Sequence, residues 1–223
     1  MKITHTIILL LIFSLSANAQ SHLHNQFKND LARQKLQGKV KSLTEKEYNA
    51  QGDSLSLRSV SGFNDSGNLV SFSTYSPEGA VLSRATFKYK GDSLVEENRY
   101  KADGTLNVKT TCIYDVKGNK IEEDNYDAGN VLFLKVLNKF DGKGNRIVKD
   151  SYNEFGGLFL KCNSKFDDDG NEISAKEYDS HHGLKYTTTY EYSGTDKEGN
   201  WLKRTTYKND DPATVTEREI DYW

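Results

Sequence analysis

Proline is almost missing from this chain of 223 residues, with Pro77 and Pro212 the two examples, so the long segments between them run without a residue that would break a backbone ladder. Cysteine is nearly as scarce: Cys112 and Cys162 allow one disulfide at most, and with no Cys-x-x-Cys pair they assemble no zinc site. Beyond the N-terminus no apolar run approaches the ~20 residues that a membrane-spanning helix needs. Charge of one sign is missing too. Thirty Lys and Arg stand interspersed with 32 Asp and Glu, for a net charge of −2, which makes nucleic acid and anionic membranes poor partners. Hydrophobic residues are 35% of the chain. That is roughly 37% when glycine is counted and tyrosine is not, below the ~45–50% of ordinary domains, so the apolar core is thin. The sequence holds no GxSxG, HExxH or Walker loop, and its tight turns leave no long loop to form a catalytic cleft.

The first residues have the layout of a secretory signal peptide: Lys2, an apolar run from Ile7 to Phe13, then small residues ending at Ala19. Cleavage there takes residues 1–19 away, and no cysteine stands at the site to receive a lipid. The remaining chain is expected to be exported, to the periplasm or the exterior. Residues 20–38 carry Leu23, Phe27 and Leu31 at helical spacing and end at Gly38, which predicts a short amphipathic helix covering one edge or face of a sheet formed by the rest of the chain.

From residue 39 to 223 the chain repeats itself. Gly-Asn recurs at Asn68, Asn119, Asn145, Asn171 and Asn200, with Gly91-Asp92 in place of one copy, at steps of 24 to 29 residues. Midway lie Gly79, Gly104, Gly129, Gly156 and Gly183, and an aromatic residue stands four positions before most of these glycines. In "FDGKGN" the aspartate bonds its own backbone and Gly144 supplies the positive φ of a type I turn with a G1 bulge. The intervening segments, such as "LFLKCNSKF", are rich in β-branched and aromatic residues and suit strands. Thirteen such turns imply about fourteen strands, joined in sequence as an antiparallel meander of ~26-residue hairpin repeats. Whether that sheet stays open, curls or closes is not set by the pattern. The tail "TVTEREIDYW" alternates and is expected to be the closing strand.

The phrases "YDVKGNKI", "FDGKGNRI" and "FDDDGNEI" resemble the YD or RHS repeats of secreted bacterial proteins, over roughly Val40 to Trp223. The resemblance implies β-hairpin strips, and it implies a secreted protein of Gram-negative bacteria. In the large members of that group such strips wind into a shell around a toxin, a structure for which this chain has too few repeats.

Two rows of aromatics are the candidate binding features. Tyr75, Tyr100, Tyr126, Tyr152 and Tyr178 gather along one margin of the meander, and Phe63, Phe87, Tyr114, Phe140 and Phe166 along the other. Tyr100, Tyr126, Tyr152 and Tyr178 are the candidate ligand-binding residues, able to stack on sugar rings or a partner's surface, although each repeat also needs its aromatic to seal the sheet. The acids Asp167, Asp168, Asp169 and Glu172 lack the alternation of a calcium loop, and the adjacent His181 and His182 would point to opposite faces, so no metal and no cofactor is expected. Cys112 and Cys162 fall on one face, four strand steps or about 19 Å apart, and are expected to be free thiols. The expected function is that of a non-enzymatic interaction scaffold of the periplasm or cell envelope, its partner a protein or a glycan. The alternatives are a carbohydrate-binding module using the tyrosine row and an accessory of a secreted toxin system.

Overall fold

A computed structural model describes residues 28–223. The signal peptide expected over residues 1–19 and the first part of the N-terminal segment, with Leu23 and Phe27, lie outside the described residues. After a single helical turn, α1 (Asp30–Arg33), fourteen strands come in order: β1 (Val40–Tyr48), β2 (Leu55–Phe63), β3 (Leu69–Tyr75), β4 (Val81–Lys90), β5 (Ser93–Lys101), β6 (Leu106–Tyr114), β7 (Lys120–Tyr126), β8 (Leu132–Phe140), β9 (Arg146–Asn153), β10 (Leu158–Phe166), β11 (Glu172–Asp179), β12 (Leu184–Thr195), β13 (Trp201–Lys208) and β14 (Asp211–Tyr222). Every strand pairs antiparallel with its sequence neighbours, and β14 pairs with β1, so the sheet is a closed barrel. Leu43 faces Ile220 and Glu45 faces Arg218 across that last seam.

The turns form as the repeat predicts. Gly144 (φ 80°) donates its N–H to the Asp141 carbonyl, 3.1 Å, and the Asp141 N–H reaches the Asn145 carbonyl, 2.9 Å. The register shifts at the aromatic beside the turn, as between Lys139 and Phe140 on β8. That shift is the bulge the glycine implies. Two connections, Lys90 to Ser93 and Lys208 to Asp211, are two-residue hairpins instead, and two further turns displace the left-handed position from the expected glycine. The left-handed residue is Asn130 (φ 62°) rather than Gly129, and His182 (φ 62°) rather than Gly183. In both, the opening aspartate still accepts from the residue four positions on, Val131 for Asp127 and Gly183 for Asp179, so the left-handed position falls one residue after Gly129 and one residue before Gly183. Asparagine tolerates the left-handed region well enough to take that position.

The helix expected over 20–38 is, among the described residues, only the four residues Asp30–Arg33. Asn29 caps it, accepting the Ala32 N–H at 2.9 Å. The segment covers neither an edge nor an outer face. It plugs one end of the barrel, because the closed sheet has no edge to cover and its end is where apolar area is left open. Leu31 and Leu36 pack there on Val40, Leu43 and Phe63, with Leu69, Ile220 and Tyr222 around them, and this is the main apolar core.

Fourteen strands tilted by ~40° and ~4.8 Å apart close on a backbone diameter of roughly 28 Å. Side chains alone do not fill such a barrel, since eight strands already give an interior that side chains just occupy. Val40 is accordingly the one side chain in the described residues that is fully buried, and most inward-facing residues are only half-buried. The outer wall is charged along its middle: Lys135 bridges Glu122 and Asp124, Lys161 meets Asp150, Lys203 meets Glu217, and Lys46 pairs with Glu219.

Candidate functional site in the lumen of the barrel

Alternation along each strand sends one set of side chains into the lumen, and residues directly opposite on paired strands share a face. The two aromatic rows separate on this rule. Tyr114, Phe140 and Phe166 point inward at the plugged end, opposite Lys120, Arg146 and Glu172. The row Tyr75, Tyr100, Tyr126, Tyr152 and Tyr178 lies on the outer wall near the other end, half-buried. There each tyrosine stands opposite a cation: Arg58, Arg84, Lys109, Lys135 and Lys161 in turn. The Arg58 guanidinium lies 4.3 Å from the Tyr75 ring centre and the Lys109 ammonium 6.0 Å from that of Tyr126, so part of each ring face is covered. The candidates Tyr100, Tyr126, Tyr152 and Tyr178 are therefore placed on one outer band, not in a pocket.

The plug is held by the turns at its end, and the repeated asparagines do much of the holding. Lys28 donates to the Asn119 side-chain oxygen (2.9 Å), the Gln37 N–H to that of Asn200 (2.7 Å), and the Asn200 amide returns to the Gln37 carbonyl (3.0 Å). Asp30 accepts the Leu69 N–H (2.9 Å) and the Tyr89 hydroxyl. Arg33 bonds Asp30 (2.8 Å) and the Asp92 carbonyl (3.1 Å), and its guanidinium lies 4.6 Å from the centre of the Tyr114 ring.

Directly beneath the plug is a cavity of about 400 Å³, lined by Arg33, Glu97, Tyr114, Lys120, Asn138, Phe140, Arg146, Phe166 and Glu172, with the amides of Asn119 and Asn145 at its margin. Its floor holds a charged pair. Desolvation opposes the Lys120 ammonium, but the Glu123 carboxylate 2.8 Å away outweighs it and raises the Lys120 pKa. Burial likewise works against the Glu123 charge, and Lys120 still holds its pKa below the ordinary value. Burial pushes the Tyr114 hydroxyl well above the ordinary phenol range, so it is protonated at all physiological pH. That hydroxyl, and the side-chain oxygens of Asn138 and Asn145, are buried without a hydrogen-bond partner. All three belong to residues that line this cavity, and buried polar groups are ordinarily satisfied by protein or by water. Among the described residues no group of three His, Cys, Asp or Glu side chains is gathered that could hold a metal.

Cys112 and Cys162 are both free and both face the lumen, on β6 and β10. Burial pushes the Cys112 thiol up to about 11, so it is not a reactive thiolate.

No family model matches the chain, and no curated protein matches it. Several solved structures are similar to it. A porin-like protein from Bacteroides uniformis aligns over 88% of this chain and 99% of its own, with a TM-score of 0.48 and 11% identity. TcdB2-TccC3 without its hypervariable C-terminal region aligns over 73% of this chain and 10% of its own, at 0.30 and 16%. A putative outer membrane lipoprotein-sorting protein domain from Vibrio parahaemolyticus aligns over 86% and 88%, at 0.33 and 11%.

Proposed function

We propose that the protein is an exported, non-catalytic binding protein of the cell envelope: a barrel standing in water, plugged at one end, that takes a small polar ligand, a glycan fragment, into its lumen. The outer wall supports the aqueous setting. A barrel that spans a bilayer needs an outward apolar band about 25 Å tall, and each Lys or Arg at mid-membrane costs about 2–4 kcal/mol. Lys46, Lys135, Lys161 and Lys203 sit mid-strand on that wall, each beside a carboxylate. The observation that carries the binding reading is the cavity beneath the plug. Its aromatic rings, amides and paired charges are the groups that recognise a polyhydroxylated ligand.

Tyr114→Phe tests this cleanly. The hydroxyl has no stronger neighbour than the Cys112 thiol, a weak partner, so its removal is expected to leave the fold intact and to change its stability by less than about 1 kcal/mol. The same change is expected to reduce the small-molecule adduct seen by native mass spectrometry when the protein is loaded with envelope extract. An adduct that survives the substitution unchanged would place the ligand elsewhere.

A second reading uses the outer wall. Phe133, Phe155 and Phe159 are exposed near Tyr126 and Tyr152, which favours a partner bound outside the barrel. In that case Phe159→Ser, not Tyr114→Phe, abolishes capture.

A further inference from the structure

The lumen has a further polar wall, on β12, β13 and β14. Near the plugged end Tyr192 and Trp201 pack with ring centres 5.3 Å apart at 58°. Arg218 lies 3.4 Å from the centre of the Trp201 ring and donates through Nε to Glu45 at 2.9 Å. Arg204 lies 5.3 Å from the ring centres of both Trp201 and Tyr190, but it has no carboxylate within ion-pair distance among the described residues, and its Nε is buried with no partner. Directly opposite it on β14, the Thr216 hydroxyl is buried and unpartnered as well. From there toward the open mouth the same wall carries Thr206, Thr188 and Thr214, and it ends at Lys208, whose ammonium lies 3.7 Å from the Tyr186 ring centre.

We propose that this wall binds an acidic oligosaccharide, a sugar chain carrying carboxylates, with Arg204 as the carboxylate receptor. The inference rests on the luminal binding reading and adds the ligand's charge. Three features lead to it. The one carboxylate bonded to this cluster, Glu45, is taken by Arg218, which leaves the Arg204 guanidinium without a carboxylate and its Nε without a partner. Two aromatic faces hold that guanidinium in place, so its planar fork is oriented before a ligand arrives, and a fixed fork suits a carboxylate better than a point charge does. The neighbouring threonine hydroxyls both donate and accept, which matches sugar hydroxyls and not a bare inorganic anion. Lys208 stands four residues from Arg204 on β13, about 13 Å along the strand, so the two cations match a chain rather than a single sugar.

The test uses trigalacturonate and its methyl ester, the same chain without charge, titrated calorimetrically into the whole mature protein. The acid is expected to bind at least about tenfold more tightly than the ester, and the acid's affinity is expected to weaken as salt is raised from 50 to 200 mM. Arg204→Gln is expected to bring the acid to the affinity of the ester while leaving the ester unaffected. Arg204→Lys keeps the charge, loses the fork, and is expected to fall between; it also serves should the glutamine variant fail to fold. Equal binding of acid and ester, or an equal loss of both in Arg204→Gln, would overturn the inference while leaving the luminal reading to its own Tyr114→Phe test. Absence of binding to either form would overturn it too.

Discussion

At the scale of single residues, the Gly-Asn turn joins two different jobs. Gly144 bears the backbone strain: its φ is 80°, and a Cβ placed there meets the Lys28 ammonium tip. Because that tip is mobile, Gly144→Val is expected to cost roughly 1–2 kcal/mol or more, chiefly from the left-handed backbone. Asn145 is not the expendable neighbour that turn chemistry alone suggests. It is 3% exposed and gives its amide to Asp141 at 2.9 Å, so Asn145→Ala is expected to cost a similar amount in urea unfolding, about 1–2 kcal/mol. At the open end Gly156 has the same backbone sign with nothing near its Cβ, so Gly156→Ala should carry the strain alone. The turn aspartates add a pH dependence. Backbone N–H donors, that of Asn145 first, hold the Asp141 carboxyl below its ordinary value of 3.8. A depressed carboxyl contributes stability that is complete above its unfolded pKa and is lost as pH falls through the folded one. Stability is therefore expected to be flat from neutrality to about pH 5 and to fall below about pH 4, and Asp141→Asn should shrink that acid loss in melts taken at pH 3 and pH 7.

Among elements, the plug is the one whose role differs most from its sequence signature. Leu31 reads as part of a helix-wide apolar stripe, yet the helix is one turn, and Leu31 and Leu36 act as an apolar stopper 7% and 5% exposed. The segment is shaped by its anchor points on the turns around it, among them Gly67, Asp92, Asn119 and Asn200, rather than by helical hydrogen bonds. Leu31→Ala is expected to lose about 2–3 kcal/mol, measured as a shift in the urea midpoint. The strands were legible to within a residue or two, because the turn chemistry that bounds them is local. The plug was not legible, since nothing in its own residues says that a ring of turns awaits it.

At the scale of the molecule, closure changes what a repeat is worth. In an open meander, removing the period Asn119 through Gly144 would leave a shorter sheet of the same kind. In the closed barrel the deletion forces twelve strands to close on a smaller circle, about 24 Å across, around a plug fitted to the larger one. The deletion variant is expected to lose cooperative unfolding or to melt far lower, which a thermal scan followed by circular dichroism would show. Closure leaves the cysteines apart: Cys112 and Cys162 remain four strands from each other by the short way round. A thiol titration of the denatured, non-reduced protein should count two, and a count of zero in a monomer would contradict the strand order.

The sequence by itself determined the strands, their order and their turns, because each rests on short-range chemistry: a left-handed glycine, an aspartate that caps its own turn, an aromatic at the bulge, and side chains alternating between two faces. It also carried both aromatic rows and the spacing of the two thiols. The closed circle was decided by the tertiary structure, through pairings such as Leu43 with Ile220, which are 177 positions apart in the chain and depend on twist summed over fourteen strands. The same closure chose which row faces outward and which faces the lumen. It also brought Tyr114, Asn138 and Asn145 round one cavity and Arg204 between Trp201 and Tyr190, because a site built from single residues of separate strands exists only when the sheet that carries them has curled into a wall.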